Sequence, residues 1–415
     1  MSKSNKLFFL GTLLFISIIF AYIFSEDSLG GARNDYLFHE KFIILFAEDF
    51  KSTFINYGQG ELYARNSPVF YIVLSFFYKS GISLDVIRYL NVISIPLFIL
   101  TFYNCLKILF KNISSSLLLF FSFVLFLSPT IRSLAVWPYP ILYGFILFLF
   151  SIKFYLKFYD KKKDKLNEAF KNTFFLSLAS YITPNFSVFV IFFLYKFYLE
   201  YKNSKYFLYI LALNFLLAFP ALFYYFINDF YLFRYSVGEI SLNIKLNIFN
   251  KIIIISSLIF FYLIPFINKK IIYQIIDTFK NIKKEYFLII FFLVCIYFFN
   301  FPSKFFGGGI FYHLSQGIIG NNFLLYIVFG LSLILFRAIK MINVNNILLF
   351  ICMILYNLQV SIYHKYFDPL LLFILIFLVF NNKLKNEKTF NEIIKKFYVI
   401  YSIFLGMSFY KVTFL

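Results

Sequence analysis

Three side chains capable of acid–base chemistry stand close together near the start of the chain. Asp35, His39 and Glu40 fall in the segment Asn34-Asp35-Tyr36-Leu37-Phe38-His39-Glu40. On a helix, the i, i+4 spacing places Asp35 and His39 on one face. A carboxylate in that position could accept a proton from a hydroxyl group, as a general base does.

The elements that must hold these residues are predicted from composition. Of the 415 residues, 61% are hydrophobic and 25% are aromatic, which is more apolar surface than a soluble fold can hide. The charged residues, 14% of the chain, gather in short clusters between apolar stretches of about 20 residues, the length that crosses a bilayer as a helix. The sequence therefore predicts an integral, multi-pass membrane protein with the lipid bilayer as its partner.

The net charge of +20 could also suggest nucleic acid. The lysines, however, bracket apolar segments instead of forming one basic stripe, and this pattern follows the positive-inside rule. We therefore expect no nucleic-acid partner.

Hydropathy and charge together predict an all-α polytopic protein with about 11 to 13 transmembrane helices in a single domain spanning residues 1–415. The first span is predicted at 7–24, with the N-terminus in the cytoplasm. Residues 25–85 then form an acid-rich outward loop with two interfacial helices, at 36–50 and 69–78. The later spans are predicted at 86–106, 115–128, 141–158, 173–182, 186–197, 207–227, 249–267, 286–299, 323–336, 346–363, 369–380 and 397–415.

This map places His39, His313 and His364 on the outward side, together with the acidic loop. Clustering of this kind raises the odds of a functional site, because single polar residues collect in any loop. Cys105, Cys295 and Cys352 lie within apolar runs without CxxC spacing, so no disulfide and no metal site is predicted. No cofactor is required by any motif, and use of a divalent metal is left open.

Two short motifs carry a resemblance to a known family. Asp35 to His39 forms an Asp-x-x-x-His step, and Ser67-Pro68-Val69-Phe70-Tyr71 forms a proline–aromatic entry to the second interfacial helix, with Ser67 as its N-cap and Pro68 at N1. With the layout of the first loop, they resemble the GT-C glycosyltransferases. The motifs are most similar to the dolichyl-phosphoglucose α-1,2-glucosyltransferase branch, which has Asp-Glu-x-Phe-His and Pro-Pro-Gly-Leu-Tyr. The architecture equally resembles bacterial aminoarabinose and protein mannosyl transferases.

The sequence departs from those patterns at two places. Tyr36 replaces the second acid of the first motif, and only Pro68 remains of the paired prolines. Both departures bear on substrate and metal use.

The resemblance implies a GT-C-like fold and transfer of a sugar, with inversion, from a polyprenyl-phosphate donor. The acceptor would be a glycan, lipid or protein on the non-cytoplasmic face. The protein would lie in the inner membrane of a bacterium or in the membrane of the endoplasmic reticulum. By resemblance Asp35 is the base, with His39 beside it as a second catalytic residue.

The departing lipid phosphate also requires a cationic clamp. Lys365 stands in Tyr363-His364-Lys365-Tyr366-Phe367-Asp368-Pro369, similar to the basic–aromatic–proline motif of many family members, although a lysine at a helix end also snorkels for purely structural reasons. Trp137 could stack on a sugar ring or belong to an interfacial aromatic belt. The clamp candidates are Arg65, Arg132, Arg234, Lys304 and Lys365, and the further substrate-binding candidates are Glu40, Trp137, His313 and His364.

Two other classes compete with this interpretation. An O-antigen polymerase-type protein is also polytopic and aromatic-rich, but its chief outward loop is expected later in the chain. A transporter or flippase places ionisable residues within its spans, near the midplane. Here the ionisable residues sit mainly at the ends of the predicted spans.

Overall fold

The computed structural model describes residues 3–28, 31–58, 62, 66–161, 164–228, 247–281, 283, 285–302, 307–380 and 386–414. Over these residues the chain is almost entirely helical and contains no β-strand. The predicted all-α class is therefore confirmed.

The chain divides into two compact units, Met1–Leu232 with Phe380–Leu415, and Phe233–Val379. The prediction of one membrane domain stays a prediction. The helices of the first unit are α1 (Lys3–Ile23), α2 (Ala32–Glu48), α3 (Phe50–Asn56), α4 (Val69–Lys79), α5 (Leu84–Leu109), α6 (Ser115–Ser122), α7 (Pro129–Val136), α8 (Pro140–Asp160), α9 (Lys165–Ile182), α10 (Phe189–Tyr201), α11 (Tyr206–Asn228) and, near the end of the chain, α20 (Glu387–Phe414). The helices of the second unit are α12 (Ile248–Leu263), α13 (Lys269–Lys280), α14 (Tyr286–Tyr297), α15 (Gly309–Leu314), α16 (Phe323–Ala338), α17 (Val344–Tyr356), α18 (His364–Phe367) and α19 (Leu370–Phe373).

Several of these helices are suited to a bilayer. In the part of the chain that the structure describes, 5 helices are long and apolar enough to cross a membrane, or 6 if one bent pair forms a single span. The bent pair is Ser115–Leu127 with Pro129–Val136, which meet at 71°. The protein is thus a multi-pass membrane protein by helix length and composition, while the larger predicted number of spans stays a prediction. The long helices are Leu84–Leu109, Pro140–Asp160, Tyr206–Tyr224, Ile248–Phe266 and Glu387–Tyr410.

Helices are present at both positions predicted in the first loop, with shifted ends, while their interfacial location stays a prediction. Helix α2 begins at Ala32, four residues before the predicted start, because the carboxylate of Asp27 accepts hydrogen bonds from the N–H groups of Gly31, Ala32 and Arg33 at 2.8, 3.1 and 3.2 Å. A carboxylate at a helix N-terminus satisfies N–H groups that have no partner within the helix. Asp27 thereby fixes the residue at which α2 begins.

Helix α4 begins one residue later than its proline suggested. Pro68 occupies the N-cap position instead of N1, and the Ser67 hydroxyl accepts from the N–H of Val69 at 3.3 Å. The side chains of Phe42 on α2, Tyr71 on α4 and Tyr57 from the segment between these helices are fully buried in one cluster. This cluster joins α2 to α4 and makes them one packed body.

Helix α5 is tied to the end of α7 by a buried amide. The Asn91 side chain donates to the carbonyls of Leu134 and Ala135, both at 2.7 Å. Ser83 caps the start of α5, accepting from Val86 at 3.4 Å. These bonds hold the first turns of α5 beside the end of α7, where Trp137 follows.

Candidate functional site

Helix α2 presents two polar faces to two different neighbours. The side chain of His39 contacts Tyr71 on α4. The ring of Tyr36, about 60° from His39 and about 100° from Asp35 around the helix, lies 5.9 Å from the ring of Trp137. Asp35 shares the first face with His39, and Glu40 shares the second with Tyr36.

The imidazole of His39 is buried in a hydrogen-bond network. Its Nδ1 lies 2.7 Å from the Tyr71 hydroxyl, and its Nε2 lies 3.3 Å from the Asn66 amide nitrogen, which also donates to Tyr71 at 3.2 Å. With the amide in this orientation, Nε2 is the acceptor, so the proton of a neutral ring is on Nδ1 and is donated to Tyr71. The ring also lies 5.2 Å from that of Tyr139. His39 is therefore held firmly in one orientation.

Asp35 is half-buried on the same face of α2. Its carboxylate acts electrostatically on the Tyr71 hydroxyl, which places it at the edge of the His39 network. The predicted proximity of Asp35 and His39 on one helical face is confirmed by the helix, while the catalytic roles of both residues stay predictions.

The second face of α2 meets a cation that sequence analysis did not select. The guanidinium carbon of Arg88, in the second turn of α5, lies 4.2 Å from the ring centroid of Trp137, 5.4 Å from that of Tyr22 and 5.9 Å from that of Tyr36. An arginine packed on aromatic faces keeps its N–H donors in the plane of the guanidinium, free to point elsewhere.

Those donors are poorly used within the protein. The ion pair of Arg88 with Asp85 is long, at 3.6 Å, and the Asp85 side chain is 86% exposed, so it adds little. Among the described residues, the buried Nε of Arg88 has no hydrogen-bond partner, while the side chain as a whole remains 16% exposed. Arg88 is thus a partly exposed cation with one buried donor unpaired.

Charges around Arg88 influence one another. Partial burial raises the pKa of Glu40 above its ordinary value, Arg88 acts to lower that pKa, and Asp85 acts to raise it. Burial also raises the pKa of Tyr36, with Glu40 adding to the effect, so its phenol stays protonated at neutral pH. The face therefore combines one fixed cation with a carboxyl group that holds its proton more tightly than usual.

Arg132, a predicted clamp residue, is already neutralised. Its Nε donates to one carboxylate oxygen of Glu26 at 2.8 Å and its Nη2 to the other at 2.6 Å, while Nη1 donates to the Ser17 hydroxyl at 3.0 Å. Both side chains of the ion pair are nearly buried, at 8% and 11% exposure. This bidentate pair fixes the end of α1 to α7.

Trp137 is buried at 4% exposure and does not present its ring to solvent. Its Nε1 donates to the backbone carbonyl of Glu26 at 2.9 Å. The guanidinium of Arg88 packs on the indole ring. Trp137, which was predicted to stack on a sugar, therefore stacks on an arginine in this structure. Three predicted clamp residues, Arg65, Arg234 and Lys304, lie outside the described residues.

The remaining predicted residues belong to the second unit. The Tyr262 hydroxyl donates to the fully buried carboxylate of Asp368 at 2.7 Å and lies 3.3 Å from Nε2 of His364. Burial lowers the pKa of His364 to about 4, Asp368 opposes this shift and His313 adds to it. The ammonium of Lys365 lies 5.6 Å from the Tyr363 ring centroid. His364 and His313 are therefore brought together, next to an acid that sequence analysis left out.

Arg88, Tyr71 and Asn66 are the site residues that sequence analysis missed. Arg88 gave one usable signal: it stands in the second turn of an apolar helix, where a cation opposes the helix dipole and needs another partner. Tyr71 gave none beyond its place in the proline–aromatic entry, and Asn66, the residue before that entry, gave none.

Among the described residues, no group of three or more His, Cys, Asp or Glu side chains is arranged to hold a metal ion. Comparison with family models, with curated proteins and with solved structures finds no match to this chain. The function must therefore be argued from the side chains themselves.

Proposed function

We propose that the protein is an integral membrane glycosyltransferase of the GT-C type, moving one sugar from a polyprenyl-phosphate donor to a hydroxyl acceptor on the non-cytoplasmic face. The observation that carries the proposal is Arg88, a partly exposed cation whose buried Nε is unpaired, beside the carboxyl-bearing helix α2. A transferase of this class needs a cation for the departing phosphate and a carboxylate for the acceptor proton. Helices α2 and α5 supply both kinds of group.

The reaction conserves atoms and charge in one displacement. The acceptor oxygen forms a bond to the anomeric carbon while the bond between that carbon and the phosphate oxygen breaks. The acceptor proton passes to Asp35, and the electron pair leaves with the lipid phosphate, which gains one negative charge. Attack from the face opposite the phosphate inverts the anomeric centre.

Arg88 is the proposed clamp, in place of Arg132. A guanidinium offers a planar fork of donors that matches two phosphate oxygens, and its hydrogen bonds strengthen as the phosphate gains charge. Arg132 has already committed this fork to Glu26. Glu40 belongs to the same electrostatic environment, since burial raises its pKa and Arg88 acts to lower it.

His39 is proposed to act by position. Its two ring nitrogens are engaged by Tyr71 and Asn66, so the network fixes the face of α2 from which Asp35 projects. A base held in one place reacts faster than one that must be oriented at each turnover.

The test uses purified protein in lipid nanodiscs with polyprenyl-phosphate glucose, mannose or aminoarabinose as donor. Asp35→Asn keeps the side-chain shape and removes the base, and we expect transfer to fall by roughly 100-fold or more. Glu48→Gln, an exposed acid on the same helix, is the matched control and should retain activity. Full transfer by Asp35→Asn, or no transfer by the wild type from any donor, would contradict the proposal.

One observation favours a second candidate, a lipid flippase or other transporter. The helix pair bent by 71° lies next to the nearly buried Glu26–Arg132 pair, and broken helices with buried charges are typical of transporters. Movement of a labelled polyprenyl-phosphate sugar across proteoliposomes, with no glycosidic bond formed, would favour this alternative.

A further inference from the structure

We infer that helix α13 lies flat on the membrane surface and binds anionic phospholipid headgroups through its lysines. The inference concerns the second unit and does not depend on the proposed function. The sequence of α13, Lys-Lys-Ile-Ile-Tyr-Gln-Ile-Ile-Asp-Thr-Phe-Lys, sorts its side chains by helical angle. All five aliphatic and phenylalanine side chains share one arc of about 140°, and the polar side chains fill the rest. The apolar arc consists of Ile271, Ile272, Ile275, Ile276 and Phe279.

The apolar arc is only partly covered by protein. No residue of α13 is buried, and Ile272, Ile276 and Phe279 are 46%, 44% and 61% exposed. Helix α16 is its main neighbour within the unit. In a protein whose other helices are suited to a bilayer, acyl chains are the apolar phase that can cover the remaining surface.

The position of α13 in the chain places it at a membrane boundary. It follows the candidate span Ile248–Phe266 and precedes α14. Glu285, just before α14, accepts a hydrogen bond at 2.8 Å from Nε of Arg337, which lies in the last turn of α16. Charged residues at the ends of spans mark the membrane interface. Its 12 residues are too few to span a bilayer. An in-plane orientation satisfies all of these constraints.

The lysines of α13 lack acidic partners. Within the described part of the chain, Lys269, Lys270 and Lys280 form no ion pair, and Asp277 is the one acid on the helix. Lys269 and Lys270 stand in the first turn, where a cation opposes the helix dipole. The Asn268 cap, accepting from Ile271 at 3.0 Å, offsets only part of that cost. Anionic headgroups at the same depth supply the missing charge, and each lysine near such a surface raises affinity about fivefold.

The orientation is tested by spin labelling of the full chain in nanodiscs of phosphatidylcholine and phosphatidylglycerol. Phe279→Cys places a label on the apolar arc, and Asp277→Cys places one on the polar side, two residues away. Cys105, Cys295 and Cys352 are buried, and labelled wild type gives the background. We expect position 279 to be reached by oxygen more than by a nickel chelate, and position 277 the reverse. Equal access of the chelate to both positions, or dipolar coupling between labels of two copies, would overturn the inference.

The lipid preference is tested by removing charge. The amount of phosphatidylglycerol retained by protein purified from mixed vesicles is compared for wild type, Lys269→Gln/Lys270→Gln, and the control Lys51→Gln/Lys79→Gln, two exposed lysines of the first unit. We expect the first pair to lose about fivefold retention for each lysine removed and the control pair to lose little. Equal losses in both pairs would show that any exposed lysine has this effect and would overturn the specific role of α13.

Discussion

The guanidinium of Arg88 lies over the indole of Trp137, with 4.2 Å between the guanidinium carbon and the ring centroid. Trp137 is itself held by its bond to the Glu26 backbone. Arg88 is therefore oriented by its aromatic neighbours, and we propose that the exposed part of its guanidinium binds the anion.

Replacing Arg88 by methionine should lower kcat for glycosyl transfer by about 100-fold to 1,000-fold, because one donor to the developing charge is lost. Arg88→Lys should recover only part of this loss, since an ammonium cannot make the bidentate contact. The exposed Lys79→Met variant serves as a charge control. A kcat for Arg88→Met close to that of the wild type would show that the phosphate is held elsewhere.

Replacing Arg132 by methionine should act on stability. It leaves the carboxylate of Glu26, only 11% exposed, without its partner, and breaking a buried pair from one side costs about 3–5 kcal/mol in the free energy of unfolding. Glu26→Gln/Arg132→Met removes both charges and should restore much of the loss. Chemical unfolding in detergent measures both. A cost in the single variant similar to that in the double variant would mean that the charge pair is unimportant.

Glu40 predicts a pH dependence of stability. Because its pKa is raised in the folded protein, the folded state binds this proton more tightly than the unfolded state. Stability from Glu40 is therefore fully present below the ordinary carboxyl value of 4.5 and is lost as pH rises through the raised pKa. Thermal unfolding followed across this window should show a slope in the wild type that is reduced in Glu40→Gln. If the slope in Glu40→Gln equals that of the wild type, the pH dependence arises from another group.

Tyr71→Phe should lower the free energy of unfolding by about 1–3 kcal/mol, because it removes the hydroxyl that is hydrogen-bonded to Nδ1 of the buried His39. Tyr273→Phe removes a hydroxyl from a side chain that is 72% exposed and should cost almost nothing. Chemical unfolding of the two variants gives the comparison. If they lose equal stability, the His39 network contributes nothing specific.

His364 predicts the opposite pH dependence from Glu40. Its pKa is lowered from 6.5 to about 4, so the unfolded state binds the proton more tightly. Stability should fall as pH drops from 6.5 toward 4, and His364→Gln should remove this part of the fall. Since the imidazole keeps some exposed surface, screening by water limits the size of the effect. Thermal unfolding between these pH values checks the sign.

Much of the secondary structure could be predicted from apolar periodicity. The first loop shows this best: helices at 36–50 and 69–78 were predicted, and α2 and α4 occupy Ala32–Glu48 and Val69–Lys79. The largest error of the two lies at the start of α2, where a single side chain decides. The carboxylate of Asp27 lengthens α2, a contact that precedes the periodic segment and leaves no trace in its pattern.

The site was harder to predict, because its contacts join distant parts of the chain. Arg132 looked like a free cation by its place in a polar segment, but Glu26, 106 residues earlier, takes up its donors. Arg88 lies near the start of the predicted span 86–106, and only the fold brings Trp137 and Tyr36 against it. Helical spacing did predict that Asp35 and His39 share a face, since that relation is local.

Trp137 is the single tryptophan of the chain. Its indole is buried and contacts the one cation that we assign to the substrate phosphate. The protein's tryptophan fluorescence therefore originates beside Arg88, with the guanidinium carbon of Arg33 also 5.9 Å from the ring centroid. A ligand that draws the guanidinium away from the ring must alter the emission, so occupancy can be titrated optically without attaching a dye.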